Sequence, residues 1–544
     1  KIQGYDAAEA NDDTNDGNIT VVGDVMSATD GVTITTTNGD ITVGTAEATP
    51  GAVKAAKALE ISTAGTGDVT VNGNLKTTGA DYGTVTVKST EGKVILNKYG
   101  SVAGTATSAD YVIDSGKDIV ITAINVDNPT ASDTEGDIDI NDSLNAAGAV
   151  TVHAYKADDV ATSKGDINID GNVTAGTAVD IAASTGNVTI GGTTASNVQA
   201  GTGLAVKTLT DGDVAVTGQL VTTGADASTV TVQATEGNVT LTKSGSADEV
   251  IKSAKDVSIS ASDSGAADEN VGDILVKGNV TGATAVAIST DQGDITLGTN
   301  EAATAVKAGT TLGVSTTKAG DITVNGSLAT TDAKTGTVSV SATEGNVTLT
   351  KAGSATEVVN SANSVSIKAS DSNTDDDSDL GNITVNGNVI GATTATLEST
   401  NGSVSLTGDL TANNGLAKIS ASDSEADNPQ NADTVGDITV KGNVTSAKAG
   451  VEISTSNGDI ALGTNTPSTG AVAITAATTT NIADTNGDIT LYGTATSQTG
   501  TTVKTITSGD ITVNGTLETK DQDGNDNDAK VGDVQVLAAR AISL

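Results

Sequence analysis

Short stretches of strict alternation run the length of the chain, and each begins in the same way. A Gly is followed by Asp or Asn, then Ile or Val, any residue, and a second aliphatic, as in Gly320-Asp321-Ile322-Thr323-Val324. Residues two apart on a strand share a face, so Ile322 and Val324 point one way and Asp321 and Thr323 the other. The motif starts at Gly17, Gly39, Gly67, Gly92, Gly136, Gly165, Gly186, Gly212, Gly237 and Gly272. It starts again at Gly293, Gly320, Gly345, Gly381, Gly402, Gly436, Gly458, Gly487, Gly509 and Gly532, twenty copies at intervals of about 27 residues. A period in this range marks a stacked repeat.

Each interval reads as three short strands. From Gly272 the order is Asp273-Ile274-Leu275-Val276, a Lys277-Gly278 corner, Asn279-Val280-Thr281, a turn, and Ala285-Val286-Ala287-Ile288-Ser289. The first corner is often Asn-Gly, as at Asn72-Gly73, Asn325-Gly326, Asn386-Gly387 and Asn514-Gly515, where glycine is expected to supply a positive φ. Three strands with one aliphatic face each make a triangular coil that cannot bury its own interior. Stacking on neighbours every ~4.8 Å satisfies both the backbone and the Val, Ile and Leu faces. The predicted fold is all-β, a right-handed parallel β-helix of about twenty three-stranded coils, a rod roughly 95 Å long. A propeller needs about four strands per blade and aromatic signatures; an α-solenoid does not fit a period of two.

The predicted organisation is a polar lead-in at 1–16 followed by one continuous solenoid at 17–544. A four-coil repeat of ~108 residues sits on top of it. The block Ala234-Thr235-Glu236-Gly237-Asn238-Val239-Thr240-Leu241-Thr242-Lys243 returns unchanged as Ala342 to Lys351. The stretch Ala52–Leu59 looks helical in isolation, but it aligns with Ala305-Val306-Lys307-Ala308 in the repeat and is predicted to be strand.

Composition narrows the function classes. The chain has 544 residues, 63 Gly, 4 Pro, 6 Tyr and no Cys, Trp or Phe, so its interior is built from thin aliphatic layers. With 68 acidic and 27 basic residues, the formal net charge is −41. Phosphate recognition needs basic patches, so nucleic acid is excluded as a partner, and an anionic membrane surface is unpromising. No run of 18 apolar residues offers a membrane span. The absence of cysteine is compatible with secretion, and a start at Lys1 without Met suggests a processed product.

Candidate chemistry is sparse. The motif Asp or Asn is expected to hydrogen-bond local backbone at its turn, with a cation ladder along one edge as the alternative. Two acidic stretches alternate Asp and Asn in the manner of hard-cation loops. They supply Asp371, Asp375, Asp376, Asp377 and Asp379 in one, and Asp521, Asp523, Asp526 and Asp528 in the other, as candidate Ca²⁺ ligands. Neither has the EF-hand spacing or the Gly-Gly repeat of calcium rolls, and a solvated acidic loop is the competing reading. No other cofactor is expected. A polysaccharide-cleaving β-helix would need a localised acid and base with aromatic sugar platforms. Here the lone histidine, His153, is predicted to face solvent, the lone arginine, Arg540, lies in the last coil, and carboxylates recur in every coil. No enzyme activity is expected. Asn-Val-Thr and Asn-Ile-Thr at Asn172, Asn279, Asn382 and Asn443 match a glycosylation acceptor but follow from the repeat itself.

Stacked coils of Gly-Asp/Asn-Ile-Thr-Val, a Gly corner and an Asn-Val-Thr strand resemble the filamentous-haemagglutinin and autotransporter class of exported adhesins. The resemblance covers nearly all of the chain through motifs generic to low-complexity β-helices. It implies a bacterial exoprotein at the cell surface that touches surfaces or other cells; that class's N-terminal secretion domain has no counterpart in this sequence. The expected function is a non-enzymatic extracellular structural or adhesive protein that self-associates into a filament, sheath or surface layer. A single adhesin stalk is the alternative, and surface glycans or other cells are the candidate external partners. Neither end shows a capping helix, and the apolar run from Val534 to Leu544 is expected to continue into further chain or pair with another subunit.

Overall fold

Alternation is realised in both halves of the chain. The computed structural model describes residues 1–4, 17–44, 51–97, 111–125, 136–156, 160, 163–192, 194–224, 228–245, 248–263, 272–372, 380–423, 435–465, 470–520 and 532–544. Among these, every helical or extended element is a β-strand. The chain divides into two units, Lys1–Gly272 and Asp273–Leu544, and each is a parallel β-helix whose coils carry a motif strand, a second strand and a third strand.

In the first unit the motif strands stack in register. Ile19 lies over Ile41, Ile41 over Val69, Val69 over Val94, and the series continues through Ile138, Ile167, Val188, Val214 and Val239. The third strands do the same through Ile34, Ile61, Val87, Ile121, Val152, Ile181, Val206, Val232 and Ile259. In the second unit the motif column begins Ile274, Ile295, Ile322, Val347 and Ile383. Its third-strand column begins Ile288, Val314, Val340, Ile367 and Leu397. Nearly all of these side chains are fully buried, each worth roughly 1.5–3 kcal/mol relative to exposure. A one-residue slip would turn a whole strand's aliphatic set outward, so the alternation fixes the register.

Several strands of the four-coil duplication have matching bounds. Val214–Thr222, Glu249–Ser253 and Val257–Ser262 recur as Ile322–Thr330, Glu357–Ser361 and Val365–Ser370 with the same strand bounds. The helical-looking stretch is two strands, Gly51–Ala55 and Leu59–Thr63, separated by a corner.

Three expectations are corrected. The copy at Gly532 is not a motif strand: Val534–Leu537 pairs with Thr501–Lys504 in the third-strand column, and Ile542–Ser543 takes the motif position. The lead-in is not wholly outside the coil, because Ile2 and Gln3 pair with Ile34 and Thr35. The Asn-Gly corners also need glycine for a different reason at three of their four sites. Gly387 does have φ 150°, but Gly73, Gly326 and Gly515 do not lie in the left-handed region. At these three a Cβ would collide with the carbonyl oxygen of Gly51, Thr304 and Gly493 in the preceding coil. Close approach between coils, more than local φ, selects glycine there.

Candidate functional site

The Gly-Asx motif is the joint between coils. A Cβ on Gly67, Gly165, Gly212, Gly320 or Gly345 would collide with the carbonyl of the motif glycine one coil earlier, so these glycines stack on one another. The next residue then bridges to its neighbour. Asp40 donates its N–H to Asn18 Oδ1 at 2.7 Å, and Asp68 to Asp40 Oδ1 at 2.9 Å. Lys93 donates its N–H to Asp68 Oδ1 at 2.8 Å, but its side chain cannot accept one, and the series restarts with Asp166 on Asp137 and Asn187 on Asp166. In the second unit it runs from Asp294 on Asp273 (2.7 Å) through Asp321 on Asp294 (2.8 Å) to Asp510 on Asp488 (2.7 Å). The expected local Asx turn is thus a ladder between coils: each side chain caps the backbone N–H of the following coil. Burial pushes the Asp137 carboxyl up to about 6, and its like-charged neighbour Asp166 adds to the effect. Burial likewise raises Asp294. At the far end Arg540 reaches Asp488 and Asp510, each at 3.4 Å, and offsets part of their charge.

One coil of the second unit replaces the Asp or Asn of the ladder by Ser. Ser403 stands where the neighbouring coils have Asn382 and Asp437, and Ser405 where they have Thr384 and Thr439. Ser403 keeps both joints, donating its N–H to Asn382 Oδ1 at 2.7 Å and accepting the Asp437 N–H on Oγ at 3.1 Å. A trough of about 420 Å³ lies across the three motif strands here. Leu380 and Val435 line it beside the polar floor. The hydroxyls of Thr384, Ser405 and Thr439 bond to no described residue, and no Lys or Arg is among the described lining residues.

No family model, curated protein or solved structure matches this chain.

The lone histidine is not free in solvent. His153 Nε2 lies 2.9 Å from Asp180 Oδ2, and the Lys207 ammonium lies 3.0 Å from Asp180 Oδ1. The imidazole stacks on Tyr155 with ring centroids 4.6 Å apart. Burial opposes ionisation of Asp180, but the hydrogen bonds from His153 and Lys207 outweigh it and hold the carboxyl below its ordinary value. The three side chains come from successive third strands, so an outward position in sequence became a half-buried ion-paired cluster.

Of the nine candidate calcium ligands, Asp375, Asp376, Asp377, Asp379, Asp521, Asp523, Asp526 and Asp528 lie outside the described residues. Asp371 is buried, with its N–H on the Thr400 carbonyl at 3.0 Å and its carbonyl accepting Asn401 Nδ2 at 2.8 Å. Asp263 and Asp423, at the same place in the recurring Ala-Ser-Asp-Ser tetrapeptide, are buried too. Among the described residues no three His, Cys, Asp or Glu side chains converge on a metal position.

Two features escaped the sequence reading. The trough is signalled by Ser403, which with Lys93 is one of two motif copies lacking Asp or Asn. The other is Asp484, which occupies a buried corner position held by Thr455 and Thr505 in the adjacent coils.

Proposed function

We propose that the protein is a non-catalytic structural or adhesive component of a microbial cell surface, exported and self-associating. One observation carries this reading: the same inter-coil joint recurs through coil after coil of both units. A four-coil block is duplicated, and several of its strands keep the same bounds in both copies. Repetition of this kind extends a surface without concentrating reactive groups at one place. A net charge of −41 supports solubility in a saline exterior. Calcium enters the proposal through the acidic stretches at 371–379 and 521–528, where calorimetric titration of the full chain tests it.

Electron microscopy of the purified full chain, with immunogold labelling of the source cells, tests the reading. Surface label together with fibres or a lattice supports a self-associating component. Surface label with dispersed single particles replaces self-association by an adhesin acting alone. Label confined to the cell interior overturns the surface assignment.

A further inference from the structure

We infer that Asn172 and Asn187 carry N-linked sugar. Each opens an acceptor triplet, Asn172-Val173-Thr174 and Asn187-Val188-Thr189, of the kind that receives sugar on exported chains. The inference rests on the surface reading for its setting and on these two side chains for its chemistry. In each triplet the valine is fully buried, while the asparagine and the threonine, two residues apart, share the outward face. Both asparagines are exposed.

The joints between coils account for the oxygen of each side chain and leave the nitrogen over. Asn172 Oδ1 accepts the N–H of Asn197 at 2.8 Å, and Asn187 Oδ1 accepts the N–H of Asp213 at 2.9 Å. An acceptor is all that the joint requires. One coil earlier, Ser143 Oγ takes the N–H of Asn172, and Asp166 Oδ1 takes that of Asn187. A hydroxyl or a carboxylate thus serves the ladder as well as an amide does. Neither Nδ2 bonds to a described residue. Other amides nearby use theirs: Asn168 Nδ2 donates to Asp139 Oδ1 at 3.0 Å, and Asn145 Nδ2 to Asp114 Oδ1 at 2.9 Å.

N-glycosylation takes only the atom that the joint leaves over. Nδ2 bonds to the anomeric carbon of a sugar-phosphate donor, and the bond from that carbon to the phosphate oxygen breaks. The electron pair leaves on the phosphate, and Nδ2 gives up one of its two protons. The side-chain carbonyl is unchanged, so Oδ1 still holds the following coil. Asp166 and Asp213 flank Asn187 along the ladder, and like charges repel. The first sugar is therefore an uncharged one, a hexose or an N-acetylhexosamine.

The test uses protein purified from the source cells and cut with trypsin after Lys164 and Lys207, which leaves Asn168, Asn172, Asn187 and Asn197 in one peptide. Mass spectrometry with electron-transfer fragmentation should place a hexose or N-acetylhexosamine on Asn172 and on Asn187. Asn168 and Asn197, with Asp170 and Gln199 two residues on, should be bare. Made in the same cells, Thr174→Val should lose the sugar at Asn172 although the asparagine remains, and Thr174→Ser should keep it. Thr174→Ala replaces the valine variant should that one misfold. An unmodified peptide, sugar on threonine hydroxyls alone, or sugar kept at Asn172 in Thr174→Val or Thr174→Ala overturns the inference. Surface-labelled cells whose protein yields a bare peptide overturn this inference alone. A glycosylated chain confined to the cell interior overturns only the surface reading.

Discussion

The N–H of Asp321 donates to the Oδ1 of Asp294, one coil earlier and 2.8 Å away. Asp321 in turn accepts the N–H of Asn346 at 2.7 Å. The bond fixes the spacing of two coils at the point where their motif glycines touch, and within each unit it recurs between successive Asp and Asn motif residues.

This relationship separates the role of the acceptor from the role of the charge. Asp294→Ala removes the acceptor of a half-buried N–H and should cost about 1–2 kcal/mol. Asp294→Asn keeps the acceptor, removes repulsion from Asp273 and Asp321, and should be neutral or slightly stabilising. Urea unfolding of the two variants at pH 7 checks the order. Equal losses would contradict the ladder.

Glycine stacking makes a second contrast. Gly320 has φ 134°, and a Cβ there would collide with the Gly293 carbonyl; Gly313 meets nothing within 4 Å. Gly320→Ala should destabilise the second unit by roughly 2 kcal/mol or more, since it combines a steric clash with an unfavourable φ. Gly313→Ala should be neutral or stabilise by about 0.5 kcal/mol. Thermal melting of both reads the difference.

Asp484 makes stability depend on pH. Its neighbours in the column, Thr455 and Thr505, donate hydroxyls to the carbonyls of Gly436 and Gly509, which a carboxylate cannot do. Burial pushes the Asp484 carboxyl up to about 7, and the charges of Asp459 and Asp488 add to this against the capping N–H of Asn486. The folded form therefore holds a proton that the unfolded chain releases near pH 4. Stability should fall as pH rises from about 4 to 7, by up to roughly 4 kcal/mol from this group. Asp484→Thr should remove that part of the slope and stabilise the protein at pH 8. Chemical unfolding of parent and variant at pH 5 and pH 8 measures it.

The His153 cluster predicts the opposite sign. Because the Asp180 carboxyl is held below its ordinary value, its contribution is present above about pH 4 and is lost as pH falls further. Solvent screening limits the gain, and Asp180→Asn should cost about 0.5–1 kcal/mol at pH 7. Comparing the two proteins at pH 7 and pH 3 should show the gap closing in acid.

The fold was legible because each coil repeats one rule: alternation names the inward residues, and glycine names the corners. What could not be read was anything decided by the adjacent coil. The pattern at Gly532 suits any of the three faces, and only pairing with Thr501–Lys504 assigns Val534–Leu537 to the third. Asp294 looks alike in sequence whether it bonds its own turn or the next coil. His153 was placed outward from Val152 and Ala154, but its partners lie on the two following third strands. Asp484 reads as one more acidic turn residue until its register with Thr455 and Thr505 shows the buried site it fills. The trough had a local signal in Ser403, whose effect depends on Asn382 and Asp437 on either side.

The central claim is that coils stack in parallel, in register, one strand spacing apart. Within the second unit, Thr296 and Thr512 stand in one outward column, joined through Thr323, Thr348, Thr384, Ser405, Thr439, Ala461 and Thr490. Since the chain has no cysteine, Thr296→Cys and Thr512→Cys can be spin-labelled without background and their separation measured by pulsed electron resonance. Eight steps of ~4.8 Å predict a narrow distribution near 38 Å between the labelled positions, broadened only by the label arms. A broad distribution, or a mean far from that value, would contradict the stacked-coil account.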